Sequence, residues 1–144
     1  MRNHTLAAVI SALVAISIGT TGIAATAGAK GRPQGRGVST TGVGTLGSDW
    51  KLKSMHDDDL PGAPGAPVAG EEFEIAVAAG HTWTTTFANN GVVFFSGDQV
   101  STAAGIREVH PSPGQPGNEH MTVHAVDHKT GETIDGFVDL PALR

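Results

Sequence analysis

Apolar and polar residues alternate with a period of two in one short segment after another of this chain. Beyond residue 27, no window longer than ten residues repeats at the helical 3.6. Period-two alternation puts successive side chains on opposite faces, so each segment has one face to bury. Trp50-Lys51-Leu52-Lys53 is such a segment. Glu72 to Val77 is a second, with Phe73, Ile75 and Val77 on one side and glutamates on the other. Trp83-Thr84-Thr85-Thr86-Phe87 is β-branched and aromatic, a composition that favours strand over helix. Val92-Val93-Phe94-Phe95 is apolar on both faces, which predicts a central or covered strand. Gly105 to Val109 is a weaker strand, Glu119 to Val126 alternates again, and Thr133 to Leu140 closes the set.

Turn chemistry separates these segments. Asn-Gly at 90–91 lies between two strand-like runs, and both central positions of the tight hairpin turn need positive φ. A two-residue turn there sets Ala88 opposite Val93 and Phe87 opposite Phe94. Trp83, Thr85, Phe87, Val92 and Phe94 then share one face, expected to be core. Ser96-Gly97-Asp98 is expected to break the following run, and His110 to Gly117 to form a plain loop. The Pro/Gly/Ala stretch LPGAPGAPVAG after Asp59 cannot pair regularly and reads as a loop. Seven strands spaced by roughly 8–12 residues predict an antiparallel sandwich or small barrel.

The beginning of the chain reads differently. Met1–His4 carries one cation, Arg2, and Leu6 to Ile18 is an unbroken apolar run. Small residues follow, with Ala25-Thr26-Ala27 and Ala27-Gly28-Ala29 as alternative cleavage motifs. That is the layout of a secretory signal peptide. A membrane helix needs about 20 apolar residues, and this run is shorter. The expected organisation is a signal peptide over 1–27 (or to 29), a flexible Gly-rich linker over 28–47, and a β-sandwich over 48–142. After cleavage no stable membrane anchor is expected, and the location is extracellular or cell-wall associated.

Composition narrows the function classes. The chain has no cysteine, so it has no disulfide, no thiolate metal site and no cysteine nucleophile. All 14 acidic residues fall between Ser48 and Pro141, against Lys51, Lys53, Arg107 and Lys129, a formal balance of −10. Such a domain repels nucleic acid, which is held by clustered Lys and Arg. Expected partners are a protein or a cell-envelope polymer.

The ordered motifs DWKLK…HDDD, EEFEI, HTWTTTFANNGVVFFSG and HAVDHKTGET resemble a group of small exported actinobacterial proteins. The resemblance covers about Ser48 to Gly136. It implies an immunoglobulin or fibronectin type III-like sandwich behind a signal peptide, and no particular reaction. Members of that group carry one cysteine before the first strand and another just after TGET. Here Ile134 stands at the second position and the first is lost too, so the implied terminal disulfide is absent.

Three constellations invite a chemical reading. His120, His124 and His128 are spaced four apart, as metal-binding histidines are on a helix. On a strand that spacing is about 13 Å, too far for one ion, so the trio reads as a polar strand face. His56-Asp57-Asp58-Asp59 is a dense anionic run without the spacing of a calcium loop, and reads as a solvated strand end. Asp127 and His128 are adjacent, which on a strand sends their side chains to opposite faces. No serine sits in a nucleophile elbow. Trp50, Trp83 and most Phe residues are expected in the core, leaving few rings for a sugar platform. No catalytic, cofactor-binding or metal-ligating residue stands out. The expected function is a secreted, non-enzymatic sandwich module. The competing classes are an exported metal-binding protein (zinc, copper or calcium) using His and Asp, and a secreted hydrolase.

Overall fold

The computed structural model describes residues 37–56 and 66–142. Eight strands run β1 (Val38–Val43), β2 (Asp49–His56), β3 (Ala69–Ala76), β4 (Thr82–Asn89), β5 (Val92–Val100), β6 (Ile106–Ser112), β7 (Glu119–Asp127) and β8 (Thr133–Leu140). They form two four-stranded antiparallel sheets, ordered β1-β2-β3-β6 and β5-β4-β7-β8. The protein is therefore an all-β sandwich. Alternation supplies the reason: Leu52, Phe73 and Ile75 from one sheet meet Trp83, Phe87, Met121, Val123 and Ile134 from the other. Trp83, Phe73 and Phe87 are the largest fully buried side chains. Phe73 and Phe87 meet edge to face across the sheets, with ring centroids 6.4 Å apart, the arrangement that opposes the ring quadrupoles favourably.

The count of seven strands is corrected to eight. Val38–Val43 lies inside the stretch 28–47 that composition reads as linker, yet it pairs along its whole length with β2. Its Val, Ser and Thr side chains suit a half-buried edge strand, which needs no large apolar residues. Gly42 is not there for flexibility. A Cβ at Gly42 would collide with the Trp50 indole, and one at Gly136 would meet the far edge of the same ring. Trp50 is thus half-buried against β1 and β8, packed on the core rather than within it.

β5 departs furthest from expectation. It is an edge strand, not a central one, and Val92 is 63% exposed instead of core. The hairpin turn forms as the Asn-Gly pair dictates, with φ of 49° at Asn90 and 81° at Gly91. Ala88 faces Val93, but Phe87 then faces Phe95, not Phe94. An extra residue at Phe94 makes a β-bulge, which lets two rings reach one. Phe94 and Phe95 lie 5.9 and 5.7 Å from the Phe87 ring. Ser96-Gly97-Asp98 does not break the strand, which runs on to Val100. Gly97 stands where the Phe95 ring folds back over the backbone. Likewise β6 continues through His110 and Pro111 to Ser112. Proline is tolerated there because β6 is an edge and needs donors on one side alone.

Candidate functional site

The outer face of the β5-β4-β7-β8 sheet collects the histidines singled out by spacing. Alternation along β7 turns Met121, Val123 and Ala125 inward and His120, Thr122 and His124 outward. Each histidine then meets a different aspartate on its neighbour. His120 pairs with Asp139 and His124 with Asp135, directly across the β7–β8 ladder. In both cases ring Nδ1 donates to the carboxylate at 2.7 Å. His128, just past the strand, donates from Nε2 to Thr84 Oγ1 at 2.6 Å, and Thr84 donates in turn to Asp98. The three rings therefore serve three separate carboxylates. Among the described residues, no three His, Cys, Asp or Glu side chains converge as metal ligands. Phe137 is the phenylalanine that stands outside the core: it is 57% exposed and lies 5.1 Å from the His120 ring. With Thr86, Thr122, His124 and Asp135 these rings line a shallow groove of about 540 Å³.

A second polar group is enclosed between the sheets, at the end where β2, β6 and β8 finish. His56, read as part of a solvated run, is only 6% exposed; Asp57–Asp59 lie outside the described residues. Alternation turns His56, Ser54 and Leu52 to the inside of β2. The register sets His56, Ala69 and Ser112 in one row across the sheet, and Ser54, Glu71 and His110 in the next. From the opposite sheet come Asn89 and Glu119, both fully buried. Asn89 Nδ2 donates to Glu119 Oε2, and reaches Ser112 Oγ at 3.0 Å. His56 Nε2 lies 2.9 Å from the Pro141 carbonyl oxygen. His56 Nδ1 lies 3.8 Å from Glu119 Oε1. Glu71 has no hydrogen-bond partner for either carboxyl oxygen among the described residues. Burial pushes its pKa up to about 8.

The other end of the sandwich is held by carboxylates with many donors. Asp127 faces inward while His128 faces out. It accepts from His81 Nδ1 at 2.7 Å, from Thr130 Oγ1 at 2.6 Å and from the Lys129 amide at 2.9 Å. Burial alone raises its pKa, but the bonds from Thr130, His81 and Lys129 and the His81 charge outweigh that, and it falls to about 2. Glu132 accepts from the amides of Leu46 and Ser48 and from the Ser48 hydroxyl. Burial opposes its ionisation too, yet the donors from Ser48, Leu46 and Gly47 hold its carboxyl below the usual range. These are structural anchors of the β1–β2 and β7–β8 turns.

Sequence reasoning missed His56, Asn89 and Glu119 as a group. They lie far apart in the chain, and the one available signal was period-two phase: each occupies an inward position at a strand end. Comparison of the chain with family models, with curated proteins and with solved structures found no match in any of the three.

Proposed function

We propose that this protein is an exported, non-enzymatic β-sandwich module of immunoglobulin/fibronectin type III-like type. It works by surface contact in the extracellular or cell-wall space, through the outer face of the β5-β4-β7-β8 sheet. The observation that carries the reading is the Phe137–His120 ring pair, exposed toward the β8 edge of that face beside the hydroxyls of Thr86 and Thr122 and the carboxylate of Asp135. An exposed aromatic ring offers an apolar plane, while Asp135, Thr86 and Thr122 offer hydrogen bonds beside it. That combination suits a neutral, hydroxyl-rich envelope polymer. The acidic balance of the domain disfavours polyanions. Export is supported by the apolar run Leu6–Ile18 and the small residues after it. The immunoglobulin-like reading is supported by strand order. With β1 set aside as an added edge, β2 to β4 take the first three positions of such a sandwich. Buried Trp83 then falls on the third strand, where that fold places its core tryptophan.

Co-sedimentation of the secreted protein with insoluble neutral cell-wall polysaccharide tests the reading. Phe137→Ala should weaken binding about tenfold, the equivalent of one aromatic contact of about 1.4 kcal/mol, with an unchanged urea midpoint. Absence of sedimentation up to about 1 mM, the weak limit of useful affinity, would overturn it. Turnover of a polysaccharide or peptide by the pure protein would overturn the non-enzymatic part.

A further inference from the structure

Two imidazoles on the outer face hold a lone pair that the fold does not use. A carboxylate can only accept, so His120 Nδ1 and His124 Nδ1, each 2.7 Å from an aspartate oxygen, carry the ring protons. That bond sets the tautomer, and in the neutral ring Nε2 is left as an acceptor. Neither Nε2 has a hydrogen-bond partner among the described residues, and both side chains are about half exposed. The hydroxyls beside them are already engaged. Thr122 Oγ1 donates to the Ala88 carbonyl at 3.4 Å, and Thr86 Oγ1 lies 2.9 Å from Ser96 Oγ.

Strand register places these acceptors around the exposed ring. His120 stands opposite Asp139, Thr122 opposite Phe137, and His124 opposite Asp135. Phe137 therefore occupies the row between two aspartate-held imidazoles. Residues four apart on a strand are separated by about 13 Å, so acceptor, ring and acceptor succeed one another along β7 and β8 over that length. Across the strands the same rows meet Thr86 and Ala88 on one side, and β8 ends the sheet on the other. No lysine or arginine stands on β4, β5, β7 or β8, so these strands offer no cation to an anionic sugar. Granted the polymer-binding reading of this face, we propose that it holds a stretch of neutral polysaccharide lying along β7 and β8. One sugar stacks on Phe137, and hydroxyls on either side of it donate to His120 Nε2 and His124 Nε2. Asp139 and Asp135 are positioning residues, which keep the two imidazoles in the accepting tautomer. The recognised ligand is then a chain at least about 13 Å long, rather than a single sugar.

The test is calorimetric titration of the secreted chain with size-graded oligomers of the neutral cell-wall polysaccharide. Affinity should climb with oligomer length until the chain spans about 13 Å, and level off beyond. His120→Ala and His124→Ala should each bind about three- to tenfold more weakly, the loss of one hydrogen bond, with the urea midpoint unchanged. His124→Gln, which restores an acceptor, should recover part of that loss. Nitrogen-15 spectra of the free protein at about pH 8 should show Nδ1 protonated and Nε2 bare in both rings, and the Nε2 signals should move when the long oligomer is added. Phe137→Ala weakening the complex while both histidine variants bind like the parent would overturn the proposal and leave the polymer reading standing. So would a single sugar bound as tightly as the longest oligomer, or spectra with Nε2 protonated in the free protein. If the parent binds neither polymer nor oligomer, the reading of the face fails and this proposal with it.

Discussion

Trp83 is fully enclosed between the sheets, yet its indole nitrogen has no hydrogen-bond partner among the described residues. Its contribution is therefore one of volume and contact. Trp83→Ala should cost about 3–5 kcal/mol, the usual range for emptying a large aromatic site. Trp83→Phe should cost distinctly less, because the donor it removes is unpaired. Urea midpoints of the two variants check both. Asp127 contributes differently, through donors gathered on a depressed carboxyl. Its folded pKa of about 2 lies below the ordinary 3.8, so its stabilisation is complete above about pH 4 and is lost as pH falls toward 2. In Asp127→Asn that part of the acid transition should flatten, and pH-dependent unfolding followed by tryptophan fluorescence measures it.

Among the strands, β1 and the β4–β5 hairpin show how small residues set packing. Gly42→Val would drive a side chain into the Trp50 ring. Overpacking of this kind costs about 1–3 kcal/mol, and the loss should appear as a lower thermal midpoint with β1 amides exchanging faster. An innocuous result would mean that β1 is dispensable, as a true linker would be. At the hairpin, Gly91 has positive φ with open space around it, so the objection to a side chain there is conformational alone. Gly91→Val should cost about 1–2 kcal/mol, the price of a left-handed L-residue. Both turn positions were legible in Asn90-Gly91. The bulge at Phe94, opposite the step from Phe87 to Ala88, was not, because an inserted residue leaves composition and alternation on either side unchanged.

Taken as one body, the sandwich carries opposed acid–base effects. Glu71 is fully buried, and its folded pKa of about 8 lies above the ordinary 4.5. Between those values the unfolded chain has released its proton and the folded chain has not. Stability therefore declines by about 1.4 kcal/mol per pH unit over that window from this group alone. Asp127 works in the other direction, below about pH 4. The parent should lose stability from pH 5 to pH 8, and Glu71→Gln should remove most of that slope. An unchanged slope would show that Glu71 is ionised within the fold. Processing belongs to the same view: secreted material should begin at Gly28 or Lys30, which N-terminal sequencing reads directly.

By itself the sequence determined the all-β class, seven of the eight strands, the hairpin turn, and the outward phase of His120 and His124. Each is a local matter of periodicity or of backbone angles permitted to particular residues. Tertiary structure decided which strands became edges, since exposure of Val92 depends on neighbours that no local pattern names. It made a strand of Val38–Val43 by pairing it along its whole length with β2, where Gly42 leaves room for the Trp50 ring. It also drew His56, Asn89 and Glu119 together from three strands. Proximity of that kind is set by the stacking of two sheets, and a chain read in one dimension carries only the parity of each residue, not its partner on the facing sheet.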